Sequence, residues 1–473
     1  MTQPATPDRP KRESLFADDP RLAMVIVAAG LGLFAVALDF FSVQAAVPSM
    51  AEDLDTTSTT LQWVLSGYLL AVSAMLVVGG RLADIFGRRR VLVIGLAIFG
   101  VTSLVGGASQ SAEMIIVMRI LQGVGAAIVF PVSISVVTTA FPPAKVQRAV
   151  GLAFAVLAIG QGSGPFVGGA ITEYLSWRWV LWINIPIVAI VIFLLLRSVK
   201  ETRDESVPRT IDWAGLVLIV ASVASFTYGI DLAADDGWTA PTTLGFIIGG
   251  LIGMAIFVLV ELRVRFPLLD VRLFRNRRFS VMTGAGAIGN AAAGAVVVLS
   301  MLVFQEVRGL SAIEAGVAFL PFSGGIGLAS VLSGRLEGRQ PWAIMTVSLA
   351  VGGLGTLGMG LSPTLGLYLA CSAFAGFGAG LAFAYANVAT QAAVPPGQAG
   401  AASGAVLTIV VGAAGVAIAL AASLVDTQGA AEGIYSQTDI DHVLVVFGIV
   451  IAASAPLVAL LGRERTPSAP EAP

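Results

Sequence analysis

Two charged residues lie inside long apolar stretches of the chain, and both are suited to carry or sense a proton. Asp39, in ALDFFSVQAAVP, falls about halfway along the first apolar run, and Arg119, in VMRILQGVG, lies within the fourth. An acid at membrane depth costs roughly 2.5–3.5 kcal/mol on insertion scales, so it must face a cavity or a partner. Because burial favours the neutral form of a carboxyl group, Asp39 is a candidate proton carrier.

Each of these residues also has a structural interpretation. Asp39 would then be an acid satisfied by neighbouring hydroxyls, such as that of Ser42 three residues on. Arg119 would snorkel to the outer interface, rather than pair with an acid, sense its protonation or anchor a substrate. We favour the functional interpretation for both.

A second charged group, GGRLADIFGRRR at residues 79–90, connects the second and third apolar runs. Gly87 permits a tight turn, Asp84 is placed to accept hydrogen bonds from a helix N-terminus, and the arginines hold the loop on the cytoplasmic side. Topology explains the arginines but not the aspartate, nor the shortened copy GRLEGRQ that starts at residue 334. We therefore predict a latch between two halves of the chain, formed by Gly80, Asp84, Gly87 and Arg88.

A third candidate is the glycine-rich segment at residues 160–169, GQGSGPFVGG. Its glycines recur every four residues, which lets a neighbouring helix approach closely. The proline within it bends or loosens the helix. Packing alone would explain the glycines, whereas the proline favours a moving element. We predict a hinge at Gly160, Gly164, Pro165, Gly168 and Gly169.

The composition indicates which elements hold these residues. The chain has 473 residues, of which 56% are hydrophobic and 12% charged, with 54 glycines and a mean hydropathy of +0.89. Soluble proteins carry roughly 25% charged residues, so the chain is predicted to be a polytopic membrane protein. The single cysteine, Cys371, excludes an intramolecular disulfide.

Fourteen apolar runs are long enough to cross a bilayer, which takes about 20 residues. They lie at approximately 23–49, 59–80, 91–109, 113–140, 148–173, 179–197, 213–233, 243–262, 280–304, 313–333, 341–361, 365–390, 400–424 and 442–461. All 27 lysines and arginines except Arg119, Arg178 and Arg308 then fall on the side of the N-terminus. By the positive-inside rule both termini are cytoplasmic.

The chain also contains an internal duplication. The segment that starts GVGAAIVF at Gly123 matches GFGAGLAF at Gly376, and Phe130 matches Phe383 at the same offset of 253 residues. Arg119 corresponds to Ser372 at this offset, so the repeat does not require a charge there. Parallel six-span halves are typical of secondary transporters with a midplane site.

The predicted fold class is therefore an all-α integral membrane protein with two six-helix bundles and two extra central transmembrane helices. The predicted units are a cytoplasmic tail, the N-terminal bundle, a linker with the extra helices, the C-terminal bundle and a second cytoplasmic tail. Their ranges are 1–22, 23–197, 198–279, 280–461 and 462–473.

Several other functions are disfavoured by the sequence. None of the three lysines ends a phosphate-binding loop, so direct ATP use is unsupported. The single histidine, His442, leaves no histidine-based metal site or catalytic triad. Nothing is similar to the ringed carbonyls or charges of a channel filter. We expect neither an enzyme nor a metal site.

Several motifs resemble those of a known family. GGRLADIFGRRR matches the G-x-L-a-D-r-x-G-r-k pattern of the major facilitator superfamily, RILQGVGAA resembles its second motif, and residues 160–169 resemble the motif typical of its antiporters. With LDFFSVQAAVP, QWVLSGYLL, SWRWVLWINIPI and the span count, the chain looks like the 14-span drug:proton antiporter branch.

The resemblance implies a proton-coupled secondary transporter of the cell membrane that exports lipophilic drug-like compounds, including cationic ones, by alternating access. It implies that Asp39 and Arg119 serve proton coupling and substrate handling, that Asp84 and Arg88 stabilise the outward-facing state, and that Pro165 shapes an antiport hinge. We expect no cofactor, and a monomer whose partners are a small-molecule substrate, protons and the bilayer, without nucleic acid. A dedicated exporter of one metabolite or lipid precursor and a proton-coupled importer remain open alternatives.

Substrate contacts in such a cavity would come from aromatic and amide side chains. The candidates, each of which also has a plain packing interpretation, are Phe40, Gln44, Trp63, Tyr68, Gln122, Phe130, Asn290 and Gln305. Asn184, close to Trp177, Trp179 and Trp182, is instead interpreted as part of an interfacial belt.

Overall fold

The computed structural model describes residue 19 and residues 21–56, 58–203, 212–265, 267–333, 336, 339–391, 393–394, 399–429 and 436–463. Within these residues the chain is helical and has no strand, and fourteen helical segments are long and apolar enough to cross a membrane. The predicted fold class and span count are confirmed, including the span at 313–333. Most of the two predicted tails and of the GRLEGRQ copy lies outside the described residues.

Seven helices form the first six crossings, because the sixth crossing is divided at Ile183. They are α1 (Arg21–Asp53), α2 (Ser58–Phe86), α3 (Arg88–Gly107), α4 (Ala112–Ala140), α5 (Pro143–Tyr174), α6 (Trp177–Trp182) and α7 (Asn184–Ser198). The two extra helices are α8 (Trp213–Asp235) and α9 (Pro241–Glu261).

Six further crossings follow a short 3-10 helix at Val271–Arg275. They are α10 (Arg277–Leu302), α11 (Ala312–Ser333), α12 (Pro341–Gly360), α13 (Leu365–Gln391), α14 (Ala399–Gly429) and α15 (Gln437–Gly462). A π-helical turn, Val303–Val307, continues α10.

The connection between α2 and α3 is shorter than the sequence predicts. Residues 79–86 belong to α2 and residues 88–90 to α3, so the predicted loop is helical on both sides of Gly87. The reason is that leucine, alanine and arginine are good helix formers. Gly87 alone makes the turn, with a φ of +110° that favours glycine.

The helices pack into two bundles that meet along two pairs of helices. In the first bundle α1 packs on α5 and α4 packs on α2 and α3, while in the second α10 packs on α14 and α13 packs on α11 and α12. Across the boundary, α5 packs on α11 and α2 packs on α14. Helix α8 lies against both α2 and α14, and α9 packs on α8. The extra helices therefore flank the boundary between the bundles.

One exception to the charge segregation is explained by an ion pair. Arg178 at the start of α6 contacts Asp53 at the end of α1, with Nη1 2.5 Å from Oδ2. The indole of Trp177 donates to the same oxygen at 3.1 Å. The acid offsets the positive charge at this end of the bundle. The orientation of the chain in the membrane stays a prediction.

Candidate functional site

Asp39 of α1 and Arg119 of α4 form an ion pair that is entirely closed to solvent. Arg119 Nη1 lies 2.5 Å from Asp39 Oδ2, and both side chains are 0% exposed. The same nitrogen donates to Gln122 Oε1 at 2.8 Å. The snorkelling interpretation of Arg119 is therefore wrong, because its guanidinium is directed at an acid in the bundle interior. A buried pair of this kind is stable only when its remaining hydrogen-bonding groups also find partners.

Three uncharged side chains complete the network around Asp39. Gln122 Nε2 donates to Asp39 Oδ1 at 2.9 Å, and Asn184 Nδ2 donates to the same oxygen at 2.7 Å. Both amides also donate to the hydroxyl of Ser103, at 2.8 Å and 2.9 Å. Helices α1, α3, α4 and α7 thus each contribute to one cluster. Arg119 and the two amides therefore donate three hydrogen bonds to the two oxygens of the Asp39 carboxylate.

Asn184 corrects an expectation from the sequence. The tryptophans near it predict an interfacial belt, yet Asn184 is 0% exposed and bonded to Asp39. It is the first residue of α7, and the division of the sixth crossing at Ile183 places it in the bundle interior. The membrane-interface signal of the tryptophans does not extend to this amide.

Arg119 also contacts the second helix on its other side. Its Nε donates to the carbonyl of Val64 at 3.1 Å, and its guanidinium carbon lies 4.2 Å from the centre of the Tyr68 ring. Tyr68 in turn stacks on Phe40, with ring centres 5.8 Å apart. Arg119 Nη2 and the Tyr68 hydroxyl are buried and have no hydrogen-bond partner among the described residues. A continuous chain of contacts thus runs from Asp39 to the ring of Phe40.

Phe40 forms part of the wall of a cavity between the two bundles. The cavity has a volume of about 160 Å³, comparable to the roughly 150 Å³ of an engineered cavity that binds benzene. Phenylalanines dominate its wall, and the described residues that line it include no charged side chain. Its phenylalanines are Phe40, Phe41, Phe130, Phe154, Phe319, Phe322 and Phe383, and its polar side chains are Gln161, Asn290, Ser73 and Ser330.

Two of these rings are equivalent in the duplication and meet in space. Phe130 of α4 and Phe383 of α13 lie with ring centres 6.4 Å apart, at an interplanar angle of 77°. Phe154 of α5 packs on Phe383 at 4.9 Å. Equivalent residues of parallel repeats meet when both lie near the axis that relates the repeats. The cavity therefore lies near the axis between the two halves.

The eight predicted cavity residues fall into two groups. Phe40, Phe130 and Asn290 line the cavity, and Asn290 Nδ2 donates to the carbonyl of Val410 in α14 at 2.9 Å. The other five lie outside the lining. Tyr68 and Gln122 belong to the Asp39 cluster. Trp63 packs on Tyr228 of α8, with ring centres 5.6 Å apart, and Gln305 lies in the π-helical turn. Gln44 Oε1 is buried without a hydrogen-bond partner in the described part of the chain.

The predicted hinge residues place α5 directly against α1. A Cβ on Gly160 would lie 2.7 Å from the carbonyl oxygen of Phe34, and one on Gly164 or Gly168 would overlap Phe41 or Ser42. Ser42 Oγ donates to the carbonyl of Gly164 at 2.9 Å, across the contact. Pro165 and Gly169 are buried in the same turns of α5.

The predicted latch residues hold the turn between α2 and α3 to the first bundle. Arg88 Nη2 donates to Asp84 Oδ1 at 2.8 Å, and its Nε donates to Ser135 Oγ of α4 at 2.7 Å. Gly80 lies beside Pro131, also in α4. Glu201, after α7, accepts the backbone N–H of Arg89 at 3.0 Å and of Arg90 at 3.2 Å. Glu201 thus caps the N-terminus of α3, a role that the sequence suggests for Asp84.

A sequence model of the Major Facilitator Superfamily matches residues 29–420. The chain belongs to this superfamily. It is 33% identical over 457 residues to the cephamycin export protein CmcT of Amycolatopsis lactamdurans, with 93% of each chain covered. It is 32% identical over 385 residues to the multidrug resistance protein Stp of Mycobacterium tuberculosis, with 80% of this chain and 72% of Stp covered.

A solved structure supports the same architecture. The human organic anion transporter MFSD10 (TETRAN) matches with a TM-score of 0.59 at 16% identity, over 91% of this chain and 99% of that one. This likeness concerns the fold. As a superfamily member with fourteen apolar helical segments, the chain is a multi-pass transporter of the cell membrane for small molecules.

Sequence reasoning misses several residues of the candidate site. Ser103 and Asn184 of the Asp39 cluster are small or uncharged, so they give no hydropathy signal. Phe154, Phe319 and Phe322 are indistinguishable in sequence from lipid-facing phenylalanines. Only Phe383 carries a signal, because the duplication pairs it with Phe130.

Proposed function

We propose that this chain is a proton-coupled antiporter that exports lipophilic, drug-like compounds, including cationic ones, by alternating access. The observation that carries the proposal is the position of Phe40. Its ring lines the cavity between the bundles and stacks on Tyr68, which lies under the guanidinium bonded to Asp39. The protonation state of Asp39 and the shape of the cavity wall are therefore linked through three side chains.

The proton would act by changing the partner of Arg119. While Asp39 is ionised, its carboxylate attracts the guanidinium and holds it over Tyr68. Protonation removes one charge of the pair, and an arginine without its counter-charge in a buried site is strongly disfavoured. Arg119 then moves toward another partner or toward water, and Tyr68 and Phe40 lose the contact that positions them. Substrate release on one side and proton uptake would be linked in this way.

The cavity lining suits lipophilic molecules. Sites for drug-sized ligands are mostly apolar and aromatic, with a few polar groups that orient the ligand. Here the amides of Gln161 in α5 and Asn290 in α10 come from opposite bundles. A lipophilic cation would bind the faces of the phenylalanine rings. Because the cavity measures about 160 Å³, a drug-sized substrate requires the bundles to move apart, as alternating access supposes.

The moving units of the proposal are residues 23–197 and 280–461, joined by the linker at 198–279. The close contact of Gly160, Gly164 and Gly168 with α1 lets α5 slide or bend at Pro165. The Asp84–Arg88 pair stabilises one of the end states. The transporter acts as a monomer with cytoplasmic termini, and the proton gradient drives it without a cofactor. Export, rather than import, is supported by the similarity to CmcT, an export protein, and to Stp, a multidrug resistance protein.

The test is transport in proteoliposomes under an imposed pH gradient, acidic inside. A fluorescent lipophilic cation and a neutral apolar dye are compared for wild type, Asp39→Asn and Glu113→Gln, an exposed acid that serves as the control. We expect gradient-driven accumulation that Asp39→Asn loses and Glu113→Gln keeps. Full coupling in Asp39→Asn would assign the proton to another residue. A wild type that ignores the gradient for the whole panel would indicate a dedicated substrate, and accumulation under the opposite gradient would indicate an importer.

A further inference from the structure

Two carboxylates meet where α8 begins and α9 ends, away from the Asp39 cluster. Glu261 is the last residue of α9 and is 0% exposed, and Asp212 precedes the first residue of α8. Each uses one oxygen for the backbone: Glu261 Oε2 accepts the N–H of Leu269 at 3.2 Å, and Asp212 Oδ1 accepts that of Gly215 at 2.9 Å. The other two oxygens, Glu261 Oε1 and Asp212 Oδ2, are buried and have no hydrogen-bond partner within the described ranges.

The two unpartnered oxygens converge on one point. A Cβ on Gly215 would lie 2.5 Å from Glu261 Oε1 and 2.7 Å from Asp212 Oδ2. Only glycine leaves this space to the carboxylates. Glu261 is fully buried, and two ionised carboxylates in one buried site also repel each other, so both effects favour a proton bound between them. A single proton between the oxygens removes the repulsion and gives both a hydrogen-bond partner.

Positively charged side chains near Glu261 and Asp212 are compatible with a pair that binds one proton and keeps one negative charge. The positive charge that acts on Glu261 comes from Arg81 in the last turns of α2. Arg272, in the 3-10 helix, donates to the carbonyl of Leu262 at 3.0 Å and so lies at the same corner. No group of three or more metal-ligating side chains occurs among the described residues, whereas one proton requires only the two oxygens that are present.

We propose that Glu261 and Asp212 bind one proton between them and that this shared proton joins the linker helices at their common end. In the bound form the Glu261 hydroxyl donates to Asp212 Oδ2, and the pair keeps one negative charge, which the positive charge of Arg81 in α2 partly offsets. Loss of the proton adds a second negative charge at the junction of α2, α8 and α9. This site is separate from Asp39 and does not rest on the proposed function.

The test is an infrared titration of the purified full chain in lipid nanodiscs, without substrate. A protonated carboxyl group has a C=O stretch that an ionised one lacks. We compare wild type, Glu261→Gln, Asp212→Asn and, as a control, Glu314→Gln, an exposed acid whose carboxylate accepts the N–H of Ser311 at 2.9 Å. Glutamine and asparagine preserve the size of each side chain, and asparagine also caps helices.

We expect a wild-type band at neutral pH that fades as the pH rises. Glu261→Gln loses it because the proton-carrying group is absent, and in Asp212→Asn it fades at a lower pH, because Glu261 stays buried but no longer faces a like charge. Glu314→Gln keeps it. The proposal fails if Glu261→Gln retains the band, if Asp212→Asn leaves the pH at which the band fades unchanged, or if the wild-type band emerges only after sodium ions are removed, since a cation would then occupy the site. Wild-type titration of the band in either variant refutes the proposal, so the test stays decisive if the other variant does not fold.

Discussion

The two bundles come from one duplicated unit, yet different groups join the fourth crossing to the first crossing in each bundle. In the first, α4 is joined to α1 by the buried ion pair of Arg119 and Asp39. In the second, α13 is joined to α10 by two hydroxyl groups, with Ser300 Oγ and Tyr368 Oη 3.1 Å apart. The residue equivalent to Arg119 is Ser372, which donates to the carbonyl of Leu369 at 2.8 Å. The duplicated fold does not require a charge there, which supports a functional origin for the charge of the first bundle.

The bundles also differ in where glycines lie in the contact between the first and fifth crossings. In the first bundle the small residues lie on α5, where the glycine at 160 faces the backbone of α1. In the second bundle α14 carries Ala413 and Ala417 at the matching positions, and the glycine is on α10. A Cβ on Gly294 would lie 2.7 Å from the carbonyl oxygen of Ala414. Both contacts are close, but only the first has its glycines on the helix that also contains a proline, Pro165.

The largest expected effect is the loss of Arg119. Arg119→Ala leaves Asp39 buried without its counter-charge, and removing one partner of a buried pair costs about 3–5 kcal/mol. We expect a loss of this size in the free energy of unfolding, measured by denaturant titration in detergent micelles, together with loss of pH-driven accumulation. Ser372→Ala is the matched control and removes one hydrogen bond, worth about 0.5–1.5 kcal/mol. If the two changes lowered the free energy of unfolding and the pH-driven accumulation equally, the proposed functional role of the charge in the first bundle would be wrong.

A smaller effect is expected where α5 meets α1. Gly160→Ala places a Cβ 2.7 Å from the carbonyl oxygen of Phe34, and overpacking of this kind costs about 1–3 kcal/mol. Gly412→Ala in α14 is the control, since a Cβ there has no atom of the described residues within 4 Å. We expect the first variant to have a lower unfolding temperature and slower transport, and the second to be more stable than wild type or equal to it. A Gly160→Ala variant that transports at the wild-type rate would argue against a hinge at this contact.

A change at Asn184 is expected to have an effect of similar size, and it distinguishes a role in proton coupling from a role in packing. Asn184→Ala removes a donor to Asp39, and a buried acceptor that loses a partner costs about 1–3 kcal/mol. Since that donor is bonded to the carboxylate proposed to carry the proton, we expect the pH profile of transport to change. The control is Gln437→Ala at the first residue of α15, the equivalent position of the second bundle. An unchanged pH profile in Asn184→Ala would show that the amide has only a structural role.

The sequence predicts most of the fold because the bilayer requires it. Apolar runs of about 20 residues must be helical, and buried charges are too costly to occur by chance, so Asp39 and Arg119 are conspicuous from residue type and position alone. Asn184 is not conspicuous, because an amide is uncharged and its neighbours are interfacial tryptophans. Glu201 is also missed, since its role at the N-terminus of α3 depends on a contact between residues far apart in sequence. Packing across helices determines both positions.

The cavity is expected to respond more weakly to mutation than the ion pair. Phe383→Ala and Phe130→Ala each remove one ring of the pair that meets between the bundles. Aromatic pairs contribute about 0.5–1.5 kcal/mol beyond area burial, which corresponds to up to about tenfold in affinity. We expect KM for a lipophilic substrate to rise by that factor in both variants, with proton coupling retained. A variant that loses coupling but keeps its KM would place the phenylalanine in the proton pathway instead of the substrate site.

The smallest effect is expected from the hydroxyl pair of the second bundle. Tyr368→Phe removes the hydrogen bond to Ser300 while the ring keeps its contact with Phe304, whose centre lies 5.7 Å away. One neutral hydrogen bond contributes about 0.5–1.5 kcal/mol, and the Ser300 hydroxyl can turn to a backbone carbonyl in its own helix. We expect a small fall in the unfolding temperature and no change in the pH profile of transport. If Tyr368→Phe shifts that profile as strongly as Asn184→Ala, the second bundle also takes part in proton coupling, and the division of roles between the two bundles must be abandoned.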